Sequence, residues 1–447
     1  MVARSDRRQL AWHLIQAALK AVDPAAAVKN YCHAHPQLVD RIKATSGRMF
    51  VIGAGKAGAP MALAAAEIFG DKIAGGRVVV KYGHGLPPPA GEALRQAANI
   101  EIVEAGHPVP DEAGLEASRQ IVRLLADVGQ DDTVICLISG GGSALLTLPA
   151  GDLTVGDLQA TTQSLLAAGA TINEINTIRK HLSAVKGGRL AELAAPANVY
   201  TLILSDVVGD PLDVIASGPT VPDSTTFAEA WRLVELYRLQ ERLPQAVIRR
   251  LQAGLAAELP DTPKAGNPIF ERVHNAVVAS NRIAARAAVA AAQAAGLQAQ
   301  LLTTFIEGEA REVGKVLAGL AKGLIRDEAP LKRPACLVLG GETTVTLKGN
   351  GQGGRNQEMA LAAAIALQGW DDVAVVCLGT DGSDGPTDAA GAVVDGHTLG
   401  RALTLGLDAL DFLSRNDAYN FFAPLDDLIM TGPTQTNVND LAFVMAW

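Results

Sequence analysis

A lysine stands inside a run of glycines at Gly53-Ala54-Gly55-Lys56-Ala57-Gly58, directly after the apolar stretch MFVI and ahead of an alanine-rich one. Glycine lets backbone amides come close to a pyrophosphate, and a helix starting there favours an anion, so a cation in this turn points to phosphate as the guest. Gly53 and Gly55 belong to that phosphate-binding set. The turn also fits the dinucleotide fingerprint, which calls for an acid about 20 residues further on, at the end of the second strand. Here that strand ends Val80-Lys81-Tyr82, which disfavours NAD and leaves NADP open. No G-x-x-x-x-G-K-[ST] occurs, so the turn is not a P-loop.

Ser139-Gly140-Gly141-Gly142-Ser143 follows TVICLI, where consecutive glycines allow backbone N–H groups to curl into an anion-binding nest. Neither serine reads as a hydrolase nucleophile, because G-x-S-x-G is absent and no histidine is placed to serve one. The segment from Asn176 to Arg189 gathers Arg179, Lys180, His181, Lys186 and Arg189 in an otherwise acidic chain. Helical spacing predicts Arg179 and Lys186 on one face, suited to a small carboxylate, which arginine meets with a two-pronged fork. His107 in AGHPVPD joins this substrate-binding set.

In the second half, Arg355 opens an alanine-rich helix after GQGG and mirrors Lys56 in the first half. Two such cations on opposite walls of a cleft would neutralise a migrating phosphoryl group. Gly340, Gly341 and Glu342 of the GGETT loop are grouped with the phosphate-binding residues. Asp206, Asp210 and Asp213, and Asp381, Asp384 and Asp388, lie in two glycine-rich loops. Hard oxygen donors of this kind suit Mg²⁺, with Asp206 and Asp381 the expected ligands, while Asp384 and Asp388 serve equally well as turn formers. The calcium-loop pattern is not met.

The elements that must carry these residues alternate. Apolar runs at 49–52, 77–80, 100–103, 133–138 and 199–204 are separated by helical stretches, the pattern of a parallel sheet covered on both faces. A second series runs 274–280, 297–304, 335–342, 344–347, 373–382 and 441–447, and the helical stretch 226–264 between the two reads as a boundary. The fold class is therefore α/β in two domains. A Rossmann-like, doubly wound, mostly parallel domain spans 1–245, and a C-terminal α/β domain with a mixed sheet spans 265–447. The active site is expected in the cleft between them.

Lys plus Arg is 38 against 47 Asp plus Glu, a net charge of −9, the wrong sign for a nucleic-acid binder. Four cysteines without a C-x-x-C pair indicate neither a disulfide framework nor a thiolate zinc site. No stretch approaches the roughly 18 uninterrupted apolar residues of a membrane span, and the first residues do not read as a signal peptide. Cytoplasmic location without nucleic-acid or membrane partners is the expectation, and a homodimer is compatible with the sequence.

GAGKAG, AGHPVPDEAG, LISGGGSALL, NTIRKHLSAVKGGRLA, SDVVGDPLDVIASGPT, LGGETTVTLKGNGQGGRNQE, GTDGSDGPTDAAGA and TGPTQTNVNDL occur in order. With these strings the chain resembles the glycerate 2-kinase family with its C-terminal MOFRL domain (about 330–440), over almost its whole length. The resemblance implies transfer of the γ-phosphoryl of ATP to the 2-hydroxyl of D-glycerate, giving 2-phosphoglycerate and ADP, with a divalent metal. It also implies that Lys56 and Arg355 are the catalytic cations. Some relatives carry the name hydroxypyruvate reductase, which makes an NAD(P)H-dependent reductase the alternative.

Overall fold

The computed structural model describes residues 4–447. Its first sheet is built from β1 (Met49–Ala54), β2 (Ile73–Lys81), β3 (Ile100–Ala105), β4 (Thr133–Ile138), β5 (Asn198–Leu204) and β6 (Val273–Ala279). The strand order is β3-β2-β1-β4-β5-β6, with parallel pairing from β3 through to β5. β1 and β4 are buried along their whole length, as continuous β-branched runs covered on both faces must be. The order reverses between β1 and β4. Ligands of open α/β sheets bind beyond the carboxyl ends of the strands at such a switch point, and the two segments leaving it are GAGKAG and SGGGS.

The second sheet holds β7 (Gln298–Ile306), β8 (Ala335–Gly341), β9 (Val373–Gly379), β10 (Gly391–Asp395), β11 (Leu428–Ile429) and β12 (Asp440–Ala446). Its order is β11-β10-β9-β12-β8-β7, and it is mixed: β7–β8 is parallel and the other pairings are antiparallel. Two alanine-rich helices, Ala310–Arg326 and Arg355–Ala366, pack on one another and bury Leu317, Ala321, Leu361 and Ala364 against Leu337, Val375 and Val444.

The structure departs from the sequence expectations in four places. The 274–280 run is β6 and joins the first sheet beside β5. The 344–347 run is not a strand: Thr344 and Thr346 are tied to Gly308 and Glu309, leaving a single bridge from Glu309 to Thr344. β10 and β11 were not anticipated. The 226–264 stretch is no boundary, since its helices Phe227–Leu236 and Gln245–Leu255 form a shared core with Leu158, Leu165 and Ile175. Each of the helices Val155–Ala167, Ile172–His181 and Phe227–Leu236 opens on a threonine capping box.

The chain forms two compact units. One comprises Pro24–Ser205 and Asp210–Val278, and the other gathers Asp206–Gly209, Ala279–Trp447 and the first helix, Arg4–Ala21. This division differs from 1–245 and 265–447 at both ends of the first domain. The first helix lays Ala11, Leu14, Ile15 and Ala18, all at most 1% exposed, into the second unit and packs on helix Asn281–Ala294. Arg4 and Arg8 meet the buried carboxylate of Asp427 at 2.5 and 3.2 Å, and Arg7 meets Asp372 at 2.5 Å. All four cysteines are buried free thiols. Among the described residues, no helix is long and apolar enough to cross a membrane.

Candidate functional site

The turns after β1 and β4 are stitched together. Ser139 N–H donates to Ala54 O at 3.1 Å, Lys56 N–H to Gly140 O at 2.8 Å, and Ala57 N–H to Ser139 Oγ at 3.0 Å. Glycine is required at 55, where φ is +144° and a Cβ would lie 2.1 Å from Ser139 Oγ. Gly53 has a different reason: inside β1, a Cβ there would strike Leu137 O at 2.3 Å. Gly141, at φ +83°, would put a Cβ 2.9 Å from the His107 ring and 3.5 Å from Lys56 Cγ, so these three residues share one corner. Among the described residues, the amides of Gly140 and Gly141 meet no protein acceptor, which leaves them free to meet an anion. Helix Gly58–Phe69 follows without a side-chain cap.

Positive charge accumulates at this corner. Burial, followed by Lys56, Lys81 and His84, pushes His107 down to about 4, so its imidazole is neutral at physiological pH. The His84 ring Nδ1 lies 3.0 Å from Lys56 O. Lys81 and His84 were not anticipated as site residues. The clue was a lysine and a histidine at the carboxyl end of the strand next to β1.

Arg179 and Lys186 do come together, though not on one helix. Helix Ile172–His181 ends before Lys186, and Gly187 and Gly188, at φ +57° and +83°, turn the chain back. Lys186 is 1% exposed and donates to Leu146 O at 2.5 Å. Arg179 donates to Ser143 Oγ at 3.2 Å, and Ser143 is linked on to Ser217 and Asn176. Both cations line a cavity of about 500 Å³. Burial depresses both, and with the added charge of Arg179 it brings Lys186 to about 7. The rest of the basic segment is paired elsewhere: Lys180 with Asp223 at 3.2 Å, His181 with Asp261 at 2.9 Å, and Arg189 with Glu192 at 3.9 Å.

In the second unit, Arg355 is engaged by carboxylates. It forks onto Asp440 at 2.6 and 3.0 Å and reaches Glu342 at 3.0 Å, so it is not the free cation the sequence suggested. Burial raises Glu342 and Asp440 towards the protonated form, against the pull of Arg355, and Asp206 adds to the effect on Glu342. The N-terminus of helix Arg355–Ala366 is also taken: Asp384 accepts from Asn356 N–H at 3.1 Å and Gln357 N–H at 2.8 Å. Burial lifts that carboxyl to about 6. Gly340 and Gly341 end β8, where a Cβ would meet Asn281 Oδ1 at 1.8 Å and Ile306 O at 2.1 Å, so packing accounts for both. Asp381 is exposed and accepts from Ser383 N–H, whereas Asp206 lies near Glu342. Among the described residues, no three His, Cys, Asp or Glu side chains converge as a metal cage.

A sheet ordered 3-2-1-4-5-6 with glycine turns at its switch point, and there a lysine that forms no ion pair among the described residues, defines an α/β protein of the kind that binds small molecules at the carboxyl ends of its strands. Residues 10–252 match the family described as "Domain of unknown function (DUF4147)", and residues 335–440 match the MOFRL family. A Thermotoga maritima protein named D-glycerate 2-kinase is 43% identical over 436 residues, covering 97% of each chain. An Agrobacterium vitis protein named "Putative hydroxypyruvate reductase" is 44% identical over 440 residues, 98% of this chain and 94% of that one. The crystal structure of a Thermotoga maritima glycerate kinase superposes with a TM-score of 0.89 at 42% identity, covering 99% of this chain and 100% of that one. The chain belongs to the glycerate kinase family, DUF4147 with MOFRL.

Proposed function

We propose that the protein is a glycerate 2-kinase, moving the γ-phosphoryl of ATP to the 2-hydroxyl of D-glycerate to give 2-phosphoglycerate and ADP. Family membership over nearly the full length supports the activity. The observation that carries the site is the corner where Lys56 and Lys81 bear on His107 beside the Gly140 and Gly141 amides, with neither lysine in an ion pair among the described residues.

In this scheme the ATP phosphates lie on the Gly140 and Gly141 amides with Lys56 against the transferred group. The carboxylate of glycerate meets Arg179 and Lys186. The hydroxyl oxygen then forms its bond to the γ-phosphorus as the bond to the β-phosphate oxygen breaks, ADP departs with that oxygen, and the hydroxyl proton is lost to solvent. Because the transition state of phosphoryl transfer is loose, alignment and charge stabilisation supply most of the acceleration. Arg355 is the second cation in this scheme, and release of Glu342, the more exposed of its two partners, would free its guanidinium. Mg²⁺ needs only one or two carboxylates besides phosphate and water, so Asp206 or Asp381 would hold it without a preformed cage. When bound, the metal would supply positive charge to offset that of the phosphates.

An NAD-dependent reductase would need an acid for the ribose at the end of β2, where this chain has Lys81; an NADP-dependent one would not, and the assay separates it. An assay coupling ADP formation to D-glycerate, run beside NADPH oxidation by hydroxypyruvate, tests the proposal. Magnesium-dependent ADP release with 2-phosphoglycerate as product is expected. Cofactor oxidation without ADP release overturns it.

A further inference from the structure

The cavity beside Arg179 and Lys186 is larger and more apolar than a three-carbon acid requires. Cavities of ~300–1,000 Å³ enclose ligands of drug size, and this one measures about 500 Å³. Beyond the two cations and Ser143, its wall presents Val109, Leu158, Leu165, Leu166, Ile175 and Leu182, with threonine and glutamine side chains between them. Leu166 and Val109 are 61% and 60% exposed, so solvent now covers apolar surface at the mouth.

The charged end is built for an anion. Lys186 is 1% exposed, and its one protein hydrogen bond among the described residues, to Leu146 O, leaves two of three ammonium donors unused. Neither Lys186 nor Arg179 forms an ion pair among the described residues, although the neighbouring Lys180, His181 and Arg189 all do. Buried cations without a counter-charge are costly unless a ligand supplies one.

We infer that this cavity takes carboxylates with an apolar body, 2-hydroxy acids whose aliphatic chain continues beyond the three carbons of glycerate, in competition with glycerate. The carboxylate meets Arg179 and Lys186, the 2-hydroxyl faces Ser143, and the chain lies along Leu158, Leu165, Leu166 and Ile175. This rests on the assignment of Arg179 and Lys186 to the carboxylate of glycerate. Each methylene buried along that wall tightens binding by about fourfold at most.

Calorimetric titration of the full chain with 2-hydroxypropanoate, 2-hydroxybutanoate and 2-hydroxyhexanoate tests it, with 1-hexanol as the carboxylate-free control. The expected result is a Kd for 2-hydroxyhexanoate at least about tenfold lower than for 2-hydroxypropanoate, no binding of 1-hexanol, and displacement by D-glycerate. Leu166→Glu, a change at an exposed position that does not threaten the fold, is expected to weaken 2-hydroxyhexanoate by about tenfold or more. A Kd independent of chain length, equal binding of 1-hexanol, or an unchanged Kd in Leu166→Glu overturns the inference, even where D-glycerate is phosphorylated normally. If chain length and Leu166→Glu act as expected but D-glycerate neither displaces the acids nor turns over, the cavity assignment stands and its link to glycerate fails.

Discussion

Lys186 carries the sharpest consequence at the scale of single residues. Its ammonium titrates near 7 in the free protein, far below an exposed lysine, because it is buried beside Arg179. A carboxylate binds the charged form, so affinity for D-glycerate is fully present below about 7 and falls by up to tenfold per pH unit above it. KM for D-glycerate, measured from pH 6 to 9, is therefore expected to rise across the upper half of that range, and in Lys186→Met the rise disappears while KM is high throughout. A flat profile in the unmodified protein contradicts the assignment. Gly141→Ala places a Cβ against His107 at a φ of +83°. That left-handed position costs a non-glycine residue about 1–2 kcal/mol, and the displaced imidazole is expected to lower kcat/KM more than denaturant unfolding shows for stability. The basic cluster was legible in the sequence, but its division was not. Charge pattern cannot tell that Lys180 and His181 turn to Asp223 and Asp261 while Arg179 and Lys186 face a cavity.

Among the elements, the strands and the two glycine turns of the first sheet were readable because long β-branched runs ending in glycine have few alternatives. The partner of a strand is a non-local property, which is why β6 read as the start of a second sheet although it lies beside β5. β11, two residues long, leaves no periodic trace. Arg355 at a helix start suggested an anion site, yet Asp384 fills that position from a loop nearly thirty residues away. Asp384→Ala is expected to cost about 1–3 kcal/mol in chemical denaturation by stripping the acceptor from two helix amides. No loss of stability would mean that water caps this helix equally well.

Across the whole molecule, length indicated several domains, composition an acidic globular chain, the alternation of apolar runs and helical stretches an α/β fold, and the eight family strings its chemistry. The place of the first helix was not legible: an amphipathic N-terminal stretch carries no mark of which unit it joins, and here it completes the core of the second. Leu14 is fully buried in that contact, so Leu14→Ala is expected to lower the stability of the second unit by about 2–5 kcal/mol, read by denaturant unfolding. The turnover of the folded fraction should not change, because the helix that Leu14's helix packs on, Asn281–Ala294, carries none of the residues assigned to the reaction.

Everything assigned to that corner depends on the side chain of Lys56 stabilising the transferred phosphoryl group. The direct measurement is kcat of Lys56→Ala with MgATP and D-glycerate, taken together with its thermal unfolding. Losing one preorganised donor of this kind typically costs about 10²–10³ in rate, so a fall of about a hundredfold or more at an unchanged melting temperature is predicted. A kcat within twofold of the unmodified enzyme contradicts the account.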